Sequence, residues 1–234
     1  MLKQSKAKQG FTLIELLTVI AILAILGAII FPTVGQFRTL AKKTSDSNDL
    51  RNIVQASQLF AAQNGERFVG SGQTLGSDGV VEGDSNDIVD VAAILAYGGE
   101  LTDPQNWVSA NEQSRNEGTG GLFLQTSEET GLSASTYSTS DFSYGYITGL
   151  RTSDPSHTPV AFTRISELTS PTWSTTDPYD DEGGHIAFLG GSVSWYENLS
   201  GLLVKPTGET ADSINEAITG FDSTRTVVAR EPTE

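Results

Sequence analysis

One carboxylate, Glu15, is the only ionisable residue in a largely apolar run of 21 residues from Phe11 to Phe31. A charged side chain at the centre of a membrane-spanning helix costs about 2.5–3.5 kcal/mol on insertion scales, and less toward its end. Glu15 therefore calls for a reason. A second constellation is the loop Asp177-Pro178-Tyr179-Asp180-Asp181-Glu182-Gly183-Gly184, which offers four carboxylates, Asp177, Asp180, Asp181 and Glu182. Calcium takes six to eight oxygen ligands, and dense acids in a Gly-bearing loop suit it. The spacing is not that of an EF-hand, and a solvated acidic loop is the plainer reading of these residues. Asp78, Glu82, Asp84, Asp87 and Asp90 form a second acidic cluster, in which Asp87 also suits a helix first turn.

Little else points to catalysis. The chain has no cysteine, which removes thiol chemistry, cysteine metal sites and any disulfide framework. Of its two histidines, His185 reads as a strand residue hydrogen-bonded within the fold and His157, between Pro155 and Pro159, as a loop residue. Ser192 lacks the G-x-S-x-G elbow of a hydrolase nucleophile. Trp107, Trp173 and Trp195 read as core or loop anchors. We expect no enzyme activity.

Charge divides the chain. Of 29 acidic and 14 basic residues in 234, the first 51 residues hold seven basic and three acidic ones. A basic, apolar front and an acidic, Gly/Ser/Thr-rich body imply two environments. A net charge of −15 argues against nucleic acid, whose phosphates need a Lys/Arg surface. At ~1.5 Å per residue, Phe11–Phe31 spans the roughly 30 Å core of a bilayer, and Lys3, Lys6 and Lys8 place the short leader on the cytoplasmic side. A secretory signal would need a small-residue cleavage site, but this run ends in Ile29-Ile30-Phe31-Pro32. A plain membrane anchor leaves Glu15 unexplained.

Lys8-Gln9-Gly10-Phe11-Thr12-Leu13-Ile14-Glu15-Leu16-Leu17 closely resembles the class III signal of type IV prepilins and type II secretion pseudopilins. The resemblance implies cleavage after Gly10 by a membrane peptidase, methylation of the new amine of Phe11, and an assembly role for Glu15. Cleavage removes the three leader lysines and creates a positive amine at Phe11. Within one subunit that amine and Glu15 would interact only loosely. Between staggered helices one subunit's amine can meet another's Glu15, and an ion pair in an apolar bundle penalises a wrong register. Major pseudopilins often bind calcium in a C-terminal loop, so the resemblance also favours the 177–184 loop as a calcium site.

The elements follow from periodicity. A helix is expected from Phe11 to about Ala62, with Phe37, Leu40, Ala41 and Thr44 on one face and Leu50, Ile53, Val54, Phe60 and Ala61 nearly opposite. Gly27, Pro32 and Gly35 predict a kink or local melting, centred on Gly27 and Pro32. Asn64-Gly65 ends the helix. A second helix is expected at Asp87–Tyr97, capped by Ser85 or Asn86 and stopped by Gly98-Gly99. Strands are expected at Leu122–Gln125, Tyr144–Leu150, Val160–Thr163 and Thr226–Ala229, with a surface loop at Ser133–Ser143 and a short helix near Asp212–Thr219. In Gly184–Tyr196, a two-residue Gly190-Gly191 turn pairs Leu189 with Ser192. That register puts Ile186, Phe188, Val193 and Trp195 on the face toward the long helix, and His185 on the other. The hairpin resembles the H-x-x-F-x-D-G-S-V stretch near the C-terminus of many prepilin-type proteins of planctomycete and verrucomicrobial bacteria, with Gly190 in place of the aspartate.

The expected fold is α+β: a long N-terminal helix, half protruding, on a small antiparallel sheet. Its divisions are a leader at 1–10, a membrane and filament-core helix at 11–35, an amphipathic helix at 36–64 and a head at 65–234. By resemblance, the chain is a filament subunit of the inner membrane, single-pass with its C-terminal domain outside the cytoplasm, and later periplasmic or on the cell surface. Its implied partners are further copies of itself, a prepilin peptidase and N-methyltransferase, a platform protein and an assembly ATPase. A tethered secreted hydrolase or binding protein is the alternative of another class. Pilus and secretion pseudopilus, major and minor subunit, stay open.

Overall fold

The structure, a computed structural model, describes residues 12–70, 73–75, 81–83, 88–112, 141–221 and 226–228; at 29–33, 73–75, 81–83 and 226–228 it describes the backbone alone. The leader, Phe11, the expected strand at Leu122–Gln125, the caps Ser85 and Asn86, and most of the expected loop at Ser133–Ser143 lie outside these residues. Phe142 and Ser143, at the end of that loop, are buried rather than on the surface.

Helix α1 runs from Leu13 to Gln63 without a break. The melting expected over Gly27–Gly35 is not present. Pro32 removes one backbone donor, and helix already formed on both sides outweighs the loss of one bond, because propagation is far easier than nucleation. At the far end the Asn64 and Glu66 N–H groups both donate to the Ala61 carbonyl, at 3.1 and 2.9 Å. This satisfies a terminal acceptor and turns the chain away.

The chain forms two compact units, Met1–Ala41 and Lys42–Glu234, and α1 contributes to both. In the second unit α1 buries Leu50, Ile53, Val54, Phe60 and Ala61, the face assigned to the core by periodicity. Helix α2, Ile88–Gly98, buries Val91, Ile94 and Leu95. Its end closes on α1: a Cβ on Gly99 would lie 2.7 Å from both the Ala56 and Leu95 carbonyl oxygens, whereas one on Gly98 would meet only the Phe60 ring. Backbone cannot move aside as a ring can. Gly99→Ala is therefore expected to destabilise the chain by about 2 kcal/mol and Gly98→Ala by less, as read by urea unfolding in detergent.

Short strands β1 (Gln73–Leu75) and β2 (Val81–Gly83) pair with each other. The main sheet is antiparallel, ordered β6-β5-β4-β3-β9, from strands β3 (Tyr144–Thr148), β4 (Pro159–Thr163), β5 (Gly184–Phe188), β6 (Val193–Tyr196) and β9 (Thr226–Val228). Between them lie β7 (Leu203–Val204), β8 (Thr210–Ala211) and the one-turn helix α3 (Ile214–Ala217).

The β5–β6 register corrects the expected one. His185 pairs with Trp195 and Ala187 with Val193. The loop has three residues, not two. Phe188 and Ser192 close it, with the Phe188 N–H donating to Ser192 at 2.9 Å and the Gly191 N–H to Phe188 at 2.8 Å. Gly191 takes the left-handed conformation, φ 82°, which three-residue hairpins place at their last position. One added loop residue slips the register by one and exchanges faces. Val193 and Trp195 thus join His185 and Ala187 on the face of Tyr144, Tyr146 and Ala161. Helix α1 packs on this face, where the Tyr146 hydroxyl donates to Ser57 Oγ at 2.9 Å. Ile186 and Phe188 point the opposite way with Phe162 and Tyr196, and the Phe188 and Tyr196 rings lie 6.3 Å apart.

Candidate functional site

The start of α1 is a reciprocal cap. Thr12 is the N-cap and Glu15 the third helical residue. The Thr12 N–H and hydroxyl both donate to Glu15 Oε2, at 2.8 and 2.7 Å, and the Glu15 N–H donates back to Thr12 Oγ1 at 3.3 Å. This is a capping box, T-x-x-E, a pattern the sequence itself carries at Thr12–Glu15. It holds the carboxylate at the head of the helix. Among the described residues, Oε1 accepts no hydrogen bond.

Beyond the cap, large apolar side chains cover the helix on every side. From Leu13 to Leu26 they are 49–82 % exposed, and Phe37 and Leu40 are 67 % and 61 % exposed. A helix apolar all round needs an apolar surrounding, whether lipid or other helices. Among the described residues no helix is long and apolar enough to cross a membrane. Phe11 and the side chains at 29–33, which belong to the apolar run read from the sequence, lie outside that description.

The four carboxylates of the acidic loop sit in different settings. Asp177 is buried and fully engaged: Oδ2 accepts the Ser174 N–H at 2.8 Å, while Oδ1 accepts the Ser166 hydroxyl at 2.7 Å and faces Arg164 at 3.5 Å. Asp180 and Asp181 lie in a 3₁₀ turn, Asp180–Glu182, in which Asp180 has a left-handed φ of 52°. Glu182 pairs with Lys43 at 3.4 Å. Among the described residues no three acidic or histidine side chains are grouped to hold a metal ion. In the second acidic cluster Asp78, Asp84 and Asp87 lie outside the described residues. A weak extracellular calcium module binds at about 1 mM, and ten times that concentration would stabilise an occupied site by about 1.4 kcal/mol. Here calcium at that level is expected to move Tm by less than about 1 °C, against several degrees for a real site.

Two features of the head were not read from the sequence. Arg164 sits between two buried acids, 3.0 Å from Glu112 and 3.5 Å from Asp177, with all three side chains at most 7 % exposed. Asp46 of α1 is also buried; it accepts the Ser109 hydroxyl and, at 2.9 Å, the Ala110 N–H. Burial raises its carboxyl above the usual range against those hydrogen bonds. The histidines differ from each other. His157 is exposed, with Nε2 3.4 Å from the Lys205 carbonyl. His185 is buried, its N–H donates to Thr163 Oγ1 at 3.0 Å, and its ring Nδ1 has no hydrogen-bond partner. His185 is thus a strand residue bonded within the fold through its backbone N–H, and not through ring Nδ1. Trp107 and Trp173 are core residues, as expected.

A family model, the prokaryotic N-terminal methylation motif, matches residues 5–31. No curated protein and no solved structure matches the chain. The matched segment contains the Gly10-Phe11 junction, the Thr12–Glu15 cap and the exposed apolar stretch of α1. The motif is one of structural subunits rather than of an enzyme class. The chain thus carries the N-terminal methylation motif that marks the prepilins of type IV pilins and pseudopilins.

Proposed function

We propose that this protein is a structural subunit of a type IV pilus or a pilus-like filament. It enters the inner membrane as a prepilin with its head outside the cytoplasm, is cleaved after Gly10, is methylated on Phe11 and polymerises through α1. The observation that carries this reading is the methylation motif at 5–31 joined to a helix whose apolar side chains stand exposed on all sides in the single chain. Before assembly lipid would cover them, and afterwards the helices of neighbouring copies. The acidic heads would coat the filament surface. Glu15, preset by Thr12, would meet the Phe11 amine of a neighbour, and Gly27 and Pro32 would be the points at which the packed helix bends. Processing and assembly would need a prepilin peptidase and N-methyltransferase, a platform protein and an assembly ATPase.

A type II secretion pseudopilin is the second reading within the same class, because the motif is shared by both. The test is intact mass and N-terminal sequencing of the protein from its native membrane or sheared surface fraction. A chain beginning at methylated Phe11 is expected. A chain retaining Met1, or cut after Phe31, would mean a tethered or secreted domain instead.

A further inference from the structure

A ring cluster in the head encloses a cation. The Lys43 ammonium lies 3.6 Å above the Trp195 ring centroid and 5.7 Å from that of Tyr179, and 3.4 Å from Glu182. His185 stands edge-on to the same rings, 4.9 Å from Trp195 and 6.3 Å from Tyr179, and those two are 5.1 Å apart. His185 is 5 % exposed, with ring Nδ1 buried and unpartnered.

We propose that Tyr179, His185 and Trp195 form an acid-operated clamp on Lys43, in which protonation of His185 expels the ammonium from the Trp195 face and frees that turn of α1 from the β5–β6 hairpin.

The titratable and polar groups toward the imidazole come from four elements, and none neutralises it. Helix α1 brings Lys43, Asp46 and Asp49. The two aspartates act on the neighbouring Tyr144 and Tyr179 hydroxyls, whose ionisation they oppose, whereas Lys43 acts on His185. The segment before β5 brings Tyr179 and Glu182, and Glu182 is spent on Lys43. Strand β3 brings Tyr144, and β4 brings the neutral Thr163. Among the described residues His185 has no ion pair. An imidazolium there would compete with Lys43 for one indole ring and repel its charge, since both cations seek the same ring quadrupole. The contest has a clear loser. His185 is fixed by strands on both sides, whereas Lys43 has a long flexible stem and a partner, Glu182, whose side chain is 62 % exposed.

Burial first, and the Lys43 charge second, push His185 from 6.5 down to about 4. The sign follows directly. A base with a depressed folded pKa stays neutral at pH 7, so the clamp is closed there. Below about 6.5 the unfolded chain takes up the proton first, so stability falls as pH drops toward 4, and opening the clamp lets the folded chain take it up too.

The test is an NMR titration of the full chain in detergent micelles from neutral pH to below His185's midpoint. It follows the His185 ring proton and the Lys43 side-chain protons, which the Trp195 ring current displaces upfield. We expect that displacement to fall to less than half with the midpoint of His185, while the Leu50 and Ile53 methyl signals keep their native dispersion. Displacement that survives the titration of His185, or that vanishes only with the core methyl signals, overturns the clamp. In His185→Gln the displacement is expected to be independent of pH over the same range. If it still titrates there, another group operates it and the proposal fails; if that variant does not fold, the wild-type titration decides alone.

Discussion

Glu15→Ala, introduced into the full chain, is expected to reach the membrane and be processed, yet to lower the yield of sheared filament about tenfold or more. Two losses combine in this variant. The capping box goes, leaving the Thr12 N–H and hydroxyl without the acceptor they now share; such a cap contributes roughly 1 kcal/mol to the start of a helix. The larger loss would come on assembly. Once cleavage has made an amine at Phe11, an apolar helix bundle without Glu15 would hold an uncompensated cation, and breaking a buried pair in this way costs about 3–5 kcal/mol. Each 1.4 kcal/mol is a factor of ten, so the effect survives heavy discounting for solvent at the bundle edge. Glu15→Gln separates the two contributions, because glutamine also serves at the third position of a capping box but carries no charge. It is expected to assemble almost as poorly as Glu15→Ala. Wild-type filament yield from Glu15→Gln would show that the cap, and not the ion pair, is what the residue supplies.

Much of the scaffold was legible in the sequence because local chemistry decides it. The 3.6-residue period of Leu50, Ile53, Val54, Phe60 and Ala61 marks a buried helix face, and Asn64-Gly65 marks its end; α1 closes at Gln63. The strands at Tyr144, Val160 and Thr226 were placed within a residue or two of their bounds. What failed depended on a single residue or on distant partners. Two glycines in a row read as a two-residue turn, but only Gly191 takes positive φ, and Leu189 is in the loop. That one residue moved Trp195 beside His185 and over Lys43, so the clamp was invisible from the sequence. A carboxylate takes whichever donors lie nearest, and for Asp177 those are Arg164, Ser166 and Ser174, which the acid density of 177–182 does not announce. No spacing rule links Arg164 to Glu112, 52 residues away. A basic residue directly after an apolar strand was the only hint that a buried cation needed anions.

That buried triad carries the largest stability effect expected in the head. Arg164 donates to the Thr176 carbonyl at 2.9 Å as well as to Glu112, and so joins the segment after α2, the end of β4 and the loop before β5. Glu112 also accepts the Ser143 hydroxyl at 2.9 Å, which brings in the start of β3. Arg164→Met fills most of the space but strands two carboxylates that together are at most 7 % exposed each. Leaving buried charge uncompensated costs about 3–5 kcal/mol, a large share of the roughly 5–15 kcal/mol that holds a domain together. Asp177→Asn should be far milder, about 1–2 kcal/mol, because an amide oxygen still accepts the Ser174 N–H and the Arg164 charge keeps Glu112. Lysine cannot replace arginine here, since one ammonium cannot reach Thr176, Asp177 and Glu112 in the way a planar fork does. Arg164→Lys is therefore expected to fall between the other two. Urea unfolding of the four proteins at neutral pH orders them, and a methionine variant as stable as the parent would show that the two acids escape to solvent and that the triad is no anchor at all.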